Sequence, residues 1–172
     1  MAKAKLTAAG AAAAIMLALQ PSPAPAAIGP DAAACAPRSR QTALLVTVRG
    51  FRERSGSLRV ALYGADPVAF LARGGALKRI DLPVSASGNM QVCVALPGAG
   101  RYAVAVRHDE NGNGQSDMDD GAGFSRNPVL SFASPRPSLD AVAIDVLRGR
   151  RPIEIVLNYR TGLTIAPVGG GR

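Results

Sequence analysis

From Thr42 onward, apolar residues recur with a period of two, the spacing of strands that bury one face. Leu44, Val46 and Val48 alternate with Leu45 and Thr47 until Gly50 ends the run. Leu58, Val60 and Leu62 face one way, with Arg59 and Tyr63 on the other side. Residues 77–84 form a weaker run anchored by Ile80 and Leu82. Met90, Val92, Val94 and Leu96 make a stripe that sets Cys93 on the opposite face. Tyr102, Val104 and Val106 alternate with Ala103, Ala105 and Arg107. Val142, Ile144 and Val146, then Ile153, Ile155 and Leu157, complete seven predicted strands. Turn signals separate them, such as Ser55-Gly56, Ser87-Gly88-Asn89 and Pro97-Gly98-Ala99-Gly100. One helical turn or two is predicted over residues 66–72, with Asp66 as cap and Pro67 at the first helical position. The pattern predicts an all-β fold: a single seven-strand antiparallel β-sandwich over residues 42–159, with that short helical turn in a connection.

The start of the chain has a different pattern. Lys3 and Lys5 precede an uncharged apolar run over residues 6–19, and Ala24-Pro25-Ala26 matches a signal-peptidase site. Residues 1–26 therefore read as a signal peptide. The run is shorter than the roughly 20 residues of a spanning helix, so the processed chain is expected in the periplasm or outside the cell, not spanning a membrane. Residues 27–41 then form an N-terminal segment, and residues 160–172 read as a flexible tail. Ala32-Ala33-Ala34 before Cys35 lacks the large aliphatic residue of a lipid-attachment box.

Hydrophobic residues make up 48% of the 172, which excludes a disordered charged tail. With four Phe, three Tyr and no Trp, the core is expected to be thin. Cys35 and Cys93 are the two cysteines, an even count in an oxidising compartment, and a disulfide between them ties the N-terminal segment to the body. Neither has a histidine or second cysteine at metal-ligand spacing. The formal charge is +8, of which Lys3 and Lys5 belong to the leader, leaving +6 that is almost all arginine. These arginines are not interleaved with aromatics, and an exported chain does not meet nucleic acid. Attraction to an anionic envelope surface remains physically reasonable.

The exception to this basic charge is one loop. Asp109, Glu110, Asp117, Asp119 and Asp120 fall within a 12-residue window directly after His108. Counting Asp109 as one, oxygen-bearing side chains stand at positions one, three, five and nine, with glycine at six. That is the spacing of a calcium-binding loop, in which short carboxylates and amides wrap a hard cation. Asp109, Asn111, Asn113 and Asp117 would give side-chain oxygens, Gln115 its carbonyl, and Asp120 would close the site. Asp120 stands where an EF-hand has the longer Glu, and no helix precedes the loop. The alternative reading is a solvated, metal-free turn, since Asn-Gly twice in succession is a turn signal by itself. His108, the only histidine, could also serve a hydrolase together with carboxylates of this loop. No G-x-S-x-G, P-loop or H-E-x-x-H spacing accompanies it.

The run from Tyr102 through His108-Asp-Glu-Asn-Gly-Asn-Gly114, then Asp117 and Gly121-Ala-Gly-Phe-Ser-Arg-Asn-Pro128, resembles the signature of the exported bacterial DUF2141 family. Val60-Ala-Leu-Tyr63, Leu96-Pro-Gly98 and Ile155-Val-Leu-Asn-Tyr159 fit the same pattern. Between the Asn-Gly loop and the Gly-Phe motif this chain is short, with only Met118-Asp119-Asp120 where many members carry more. The resemblance implies export and an immunoglobulin-like or transthyretin-like sandwich, with the Cys35–Cys93 pair of a subset of members, and it assigns no catalytic residue. The reading is thus a non-enzymatic exported domain whose calcium loop orders a partner surface. The partner is an envelope protein or an anionic envelope surface.

Overall fold

A computed structural model describes residues 26–168. The predicted signal peptide, but for Ala26, and residues 169–172 of the predicted tail lie outside the described residues. In chain order the strands are β1 (Ala43–Arg49), β2 (Ser57–Tyr63), β3 (Lys78–Pro83), β4 (Met90–Ala95), β5 (Gly100–Asp109) and β6 (Gly121–Phe124). A single helical turn, α1 (Leu139–Val142), leads into β7 (Ile144–Val146), β8 (Arg150–Val156), β9 (Asn158–Thr161) and β10 (Thr164–Pro167). The smaller sheet runs β4-β1-β8, and the larger runs β10-β9-β6-β5-β2-β3. β7 extends the larger sheet by pairing with the start of β5, Tyr102 opposite Ile144.

The two sheets pack as the expected all-β sandwich. Leu44, Val46 and Val48 of the small sheet and Leu58, Val60, Leu62, Val104 and Val106 of the large one meet in the main core. Several details differ from the sequence reading. β6, β9 and β10 were not foreseen: β6 carries two glycines and no alternation, and the other two are short and polar. Much of the predicted flexible tail is thus the hairpin Asn158–Pro167, its strands pairing Thr161 with Thr164 around Gly162. β1 and β8 pair in parallel, Val46 opposite Ile153, so the sandwich is not wholly antiparallel. The helical turn also sits elsewhere. Residues 67–71 form hydrogen-bonded turns, with the Val68 amide donating to the Asp66 carboxylate, while the regular turn is α1, capped by Ser138.

Both sheets also bury apolar residues on their outer faces. On the small sheet, Cys93 and Ala43 pack with Ala34 and Cys35 of the N-terminal segment. The Cys35–Cys93 disulfide is formed, with a Cα–Cα distance of 5.9 Å. Asp31 reinforces this attachment, accepting from the Lys78 ammonium at 2.6 Å and the Ala95 amide at 2.8 Å. On the large sheet, Tyr63, Ala103 and Phe124 form a second apolar layer with Leu130, Leu139 and Val142.

Candidate functional site

The acidic loop follows β5 and folds back over that strand's outer face. Asp109 is buried there: one carboxylate oxygen accepts from the Gly114 amide at 2.8 Å and lies 3.4 Å from Arg107, while the other has no partner. Asp117 accepts from the side-chain amides of Asn111 at 2.8 Å and Asn113 at 2.6 Å. The carbonyl oxygens of Asn111 and Asn113 in turn accept from the backbone amides of Asn113 and Gln115, two residues on. Asp120 accepts from the Asp117 amide at 3.1 Å and faces Arg107 at 3.7 Å. Asp117 sits below the usual carboxylate range because two amides bind its charged form, and burial pushes Asp120 above it. One oxygen each of Asp109, Asp117 and Asp120 and both Asn carbonyls thus accept from within the loop, and Arg107 supplies a positive charge between two of its carboxylates. Among the described residues, no three His, Cys, Asp or Glu side chains are grouped to hold a metal ion.

His108 alternates onto the inner face and is fully buried. Nε2 lies 2.9 Å from the Ser55 carbonyl, an acceptor only, so Nε2 carries a proton. Nδ1 lies 2.7 Å from the Tyr159 hydroxyl, whose oxygen accepts from the Arg52 amide. Arg52 lies over the Tyr159 ring, 4.8 Å from its centroid, and grips Glu110 through two hydrogen bonds of 3.1 and 2.6 Å. Burial raises the Tyr159 phenol to about 12, and the Glu110 hydrogen bond raises Arg52. This clasp joins the β1–β2 connection, the end of β5 and β9. Glycine makes room for it: a Cβ on Gly121 would stand 2.5 Å from the Tyr159 ring, and one on Gly56 would overlap the Asp109 carbonyl. The hydrolase reading fails here, because His108 has no solvent face and both ring nitrogens are engaged.

A feature that the sequence reading missed lies beside the loop, on the outer face of the large sheet. Ala61, Ala105 and Ala122 are neighbours there, Ala61 opposite Ala105, and Ala105 opposite Phe124. Methyl side chains leave this stretch low, and the β2–β3 and β6–α1 connections rise around it. The result is a cleft of about 500 Å³ whose lining includes Arg59, Arg73, Arg79, Arg107 and Arg136 and no carboxylate. The signal was present in the sequence as Arg59 and Arg107 on outward positions next to alanines. It became visible only when register placed them opposite each other.

A family model described as "Uncharacterized protein conserved in bacteria (DUF2141)" matches residues 46–154. The chain belongs to the DUF2141 family. No curated protein and no solved structure matches it. In this DUF2141 domain, the residues that carried the resemblance divide between two places. His108, Asp109 and Gly121 build the clasp and its loop, whereas Ala122 and Phe124 face the cleft. The His-Asp-x-Asn-Gly-Asn-Gly run thus builds the clasp and the loop, and the arginine-lined cleft lies beside it.

Proposed function

We propose that this DUF2141 domain is an exported, non-enzymatic binding module that engages an anionic component of the cell envelope through the outer face of its larger sheet. One observation carries the reading: Arg73, Arg79 and Arg136 line the cleft with no hydrogen bond or ion pair to a described residue from their side chains. Arginines gathered in a concavity without carboxylates raise the local concentration of anions. Export is supported by the leader-like residues 1–26 and by the disulfide, which persists in oxidising compartments. No helix among the described residues is long and apolar enough to cross a membrane.

The test is co-sedimentation of the protein, as processed by its host, with vesicles. Phosphatidylglycerol/phosphatidylethanolamine vesicles should retain it, and phosphatidylcholine vesicles should not. Raising salt from about 0.05 to about 0.5 M should release it as the screening length shrinks. Equal retention on both vesicles, or retention insensitive to salt, overturns the reading.

Calcium at the 109–120 loop is a second reading, supported by the Asp109 oxygen that is buried without a partner. Asp109, Asn111, Asn113 and Asp117 would give side-chain oxygens with the Gln115 carbonyl and Asp120 closing the site, once the Asn111 and Asn113 amides turned from Asp117. On this reading, millimolar calcium raises the Tm of chelator-treated protein by mass action. An unchanged Tm leaves the loop a hydrogen-bonded turn.

A further inference from the structure

We infer that the cleft is a binding site for a phosphate-bearing lipid, its head among the arginines and the start of its chain on the alanine floor. The inference rests on the envelope-binding reading above and names the ligand class. The five arginines are not equivalent. Arg59 is held by Asp81 at 2.6 Å, and Arg107 is shared between Asp109 and Asp120. Across the sheet these form one row, Asp81, Arg59, Arg107 and Ala122 standing side by side. Like charges directly opposite are unfavourable, so Arg59 and Arg107 each depend on their carboxylates, and both are spent on the fold. Arg79 lies in the next row, opposite Ala61. With Arg73 and Arg136 from the two flanking connections it makes three exposed guanidiniums around one opening.

Three guanidiniums free of carboxylate partners favour a phosphate head, with its several acceptor oxygens, over a single carboxylate, because each offers a planar fork that matches phosphate oxygens. The open part of the floor, Ala105 and Ala122 with Leu71 beside them, asks for something apolar, while Ala61 and Phe124 are already buried. Ala61, Ala105 and Phe124 belong to or pack against the second apolar layer, and Leu71 and Pro135 stand at the sides. A free phosphate would leave that surface wet. About 500 Å³ is the size of a pocket for a drug-sized molecule, enough for a phosphate and part of a chain. Leu71 also has a backbone φ of 59°, a left-handed conformation that a bulky side chain adopts only where its surroundings impose it.

Calorimetric titration with decyl phosphate, decyl glucoside and inorganic phosphate tests this. Decyl phosphate should bind at least about tenfold more tightly than either of the others, since only it satisfies both the arginines and the floor. Changing Arg73, Arg79 and Arg136 together to Gln should weaken decyl phosphate at least about tenfold without moving the Tm, as all three are exposed. Ala105→Leu, and separately Ala122→Leu, should weaken decyl phosphate but not inorganic phosphate. Inorganic phosphate binding as tightly as decyl phosphate overturns the lipid assignment, as does equal binding of decyl glucoside. If the arginine variant loses anionic vesicles but decyl phosphate binds no better than inorganic phosphate, the lipid assignment fails and the envelope-binding reading survives. If the variant still sediments like the parent, both fail, because the arginines that carry them are not the contact. If the parent does not bind anionic vesicles at all, both fail.

Discussion

Tyr159 shows how one residue's environment becomes a measurable property. Its hydroxyl bridges the His108 ring and the Arg52 amide, and burial disfavours its ionised form. A phenol whose folded-state value is raised from 10 to about 12 contributes stability below pH 10 and loses it as pH climbs toward 12. The loss is on the order of 2–3 kcal/mol across that window. Tyr159→Phe should therefore be destabilised at pH 8, by about 1–3 kcal/mol for the two broken hydrogen bonds. It should also show a flatter decline between pH 10 and 12. Denaturant unfolding of both proteins across that range is the check, and parallel declines would remove the role assigned to Tyr159. His108, four strands earlier in chain order, reads in the sequence as a lone histidine at a strand end. Its structural role is set by Ser55 and Tyr159, separated from it by 53 and 51 residues, which no local pattern reveals.

At the scale of elements, alternation made seven of the ten strands legible because each places apolar residues in the main core. β6 was not legible, and the reason is steric. Its glycines are required by what crosses it: Gly121 by the Tyr159 ring, and Gly123 by Ile155 and the Val156 carbonyl, 2.6 and 2.8 Å from where a Cβ would stand. A strand chosen for close approach carries no periodic signal. The sixth predicted strand began too early because Val142 ends α1, where it is buried in the outer layer and not in the main core. The spacing of the acidic loop reads as a calcium loop or a metal-free turn, and its Asn side chains each accept from a backbone amide two residues on. Arg107 and Arg126 are the neighbouring arginines that the sequence offers to relieve its charge, and it is Arg107, two residues before Asp109, that faces its carboxylates.

For the whole molecule, the disulfide is the feature with the largest expected effect. It closes a separation of 58 residues and fixes the N-terminal segment over the outer face of the small sheet. In the chain-entropy account such a loop is worth about 4 kcal/mol. Replacing Cys35 and Cys93 together by Ala should lower stability by about 3–4 kcal/mol with little change in the far-ultraviolet spectrum. A thermal melt in which the double variant matches the parent would mean that Asp31 and the backbone pairing of Ile28 with β4 hold the segment unaided.

The sequence by itself determined the class: alternating apolar residues can be buried only on facing sheets, and two cysteines in an otherwise thin-cored chain pointed to a covalent tie. It also located the single concentration of acidic residues. Only the tertiary structure decided which chemistry stays open to solvent. Strand register set Arg59 against Arg107, put Ala61 beside Ala105 with Ala122 one row on, and brought Arg79 of β3 to the same face, while two connections added Arg73 and Arg136 around it. Charge composition counts these groups but carries no distances. A guanidinium becomes a site or merely part of a salt bridge according to whether folding sets a carboxylate beside it.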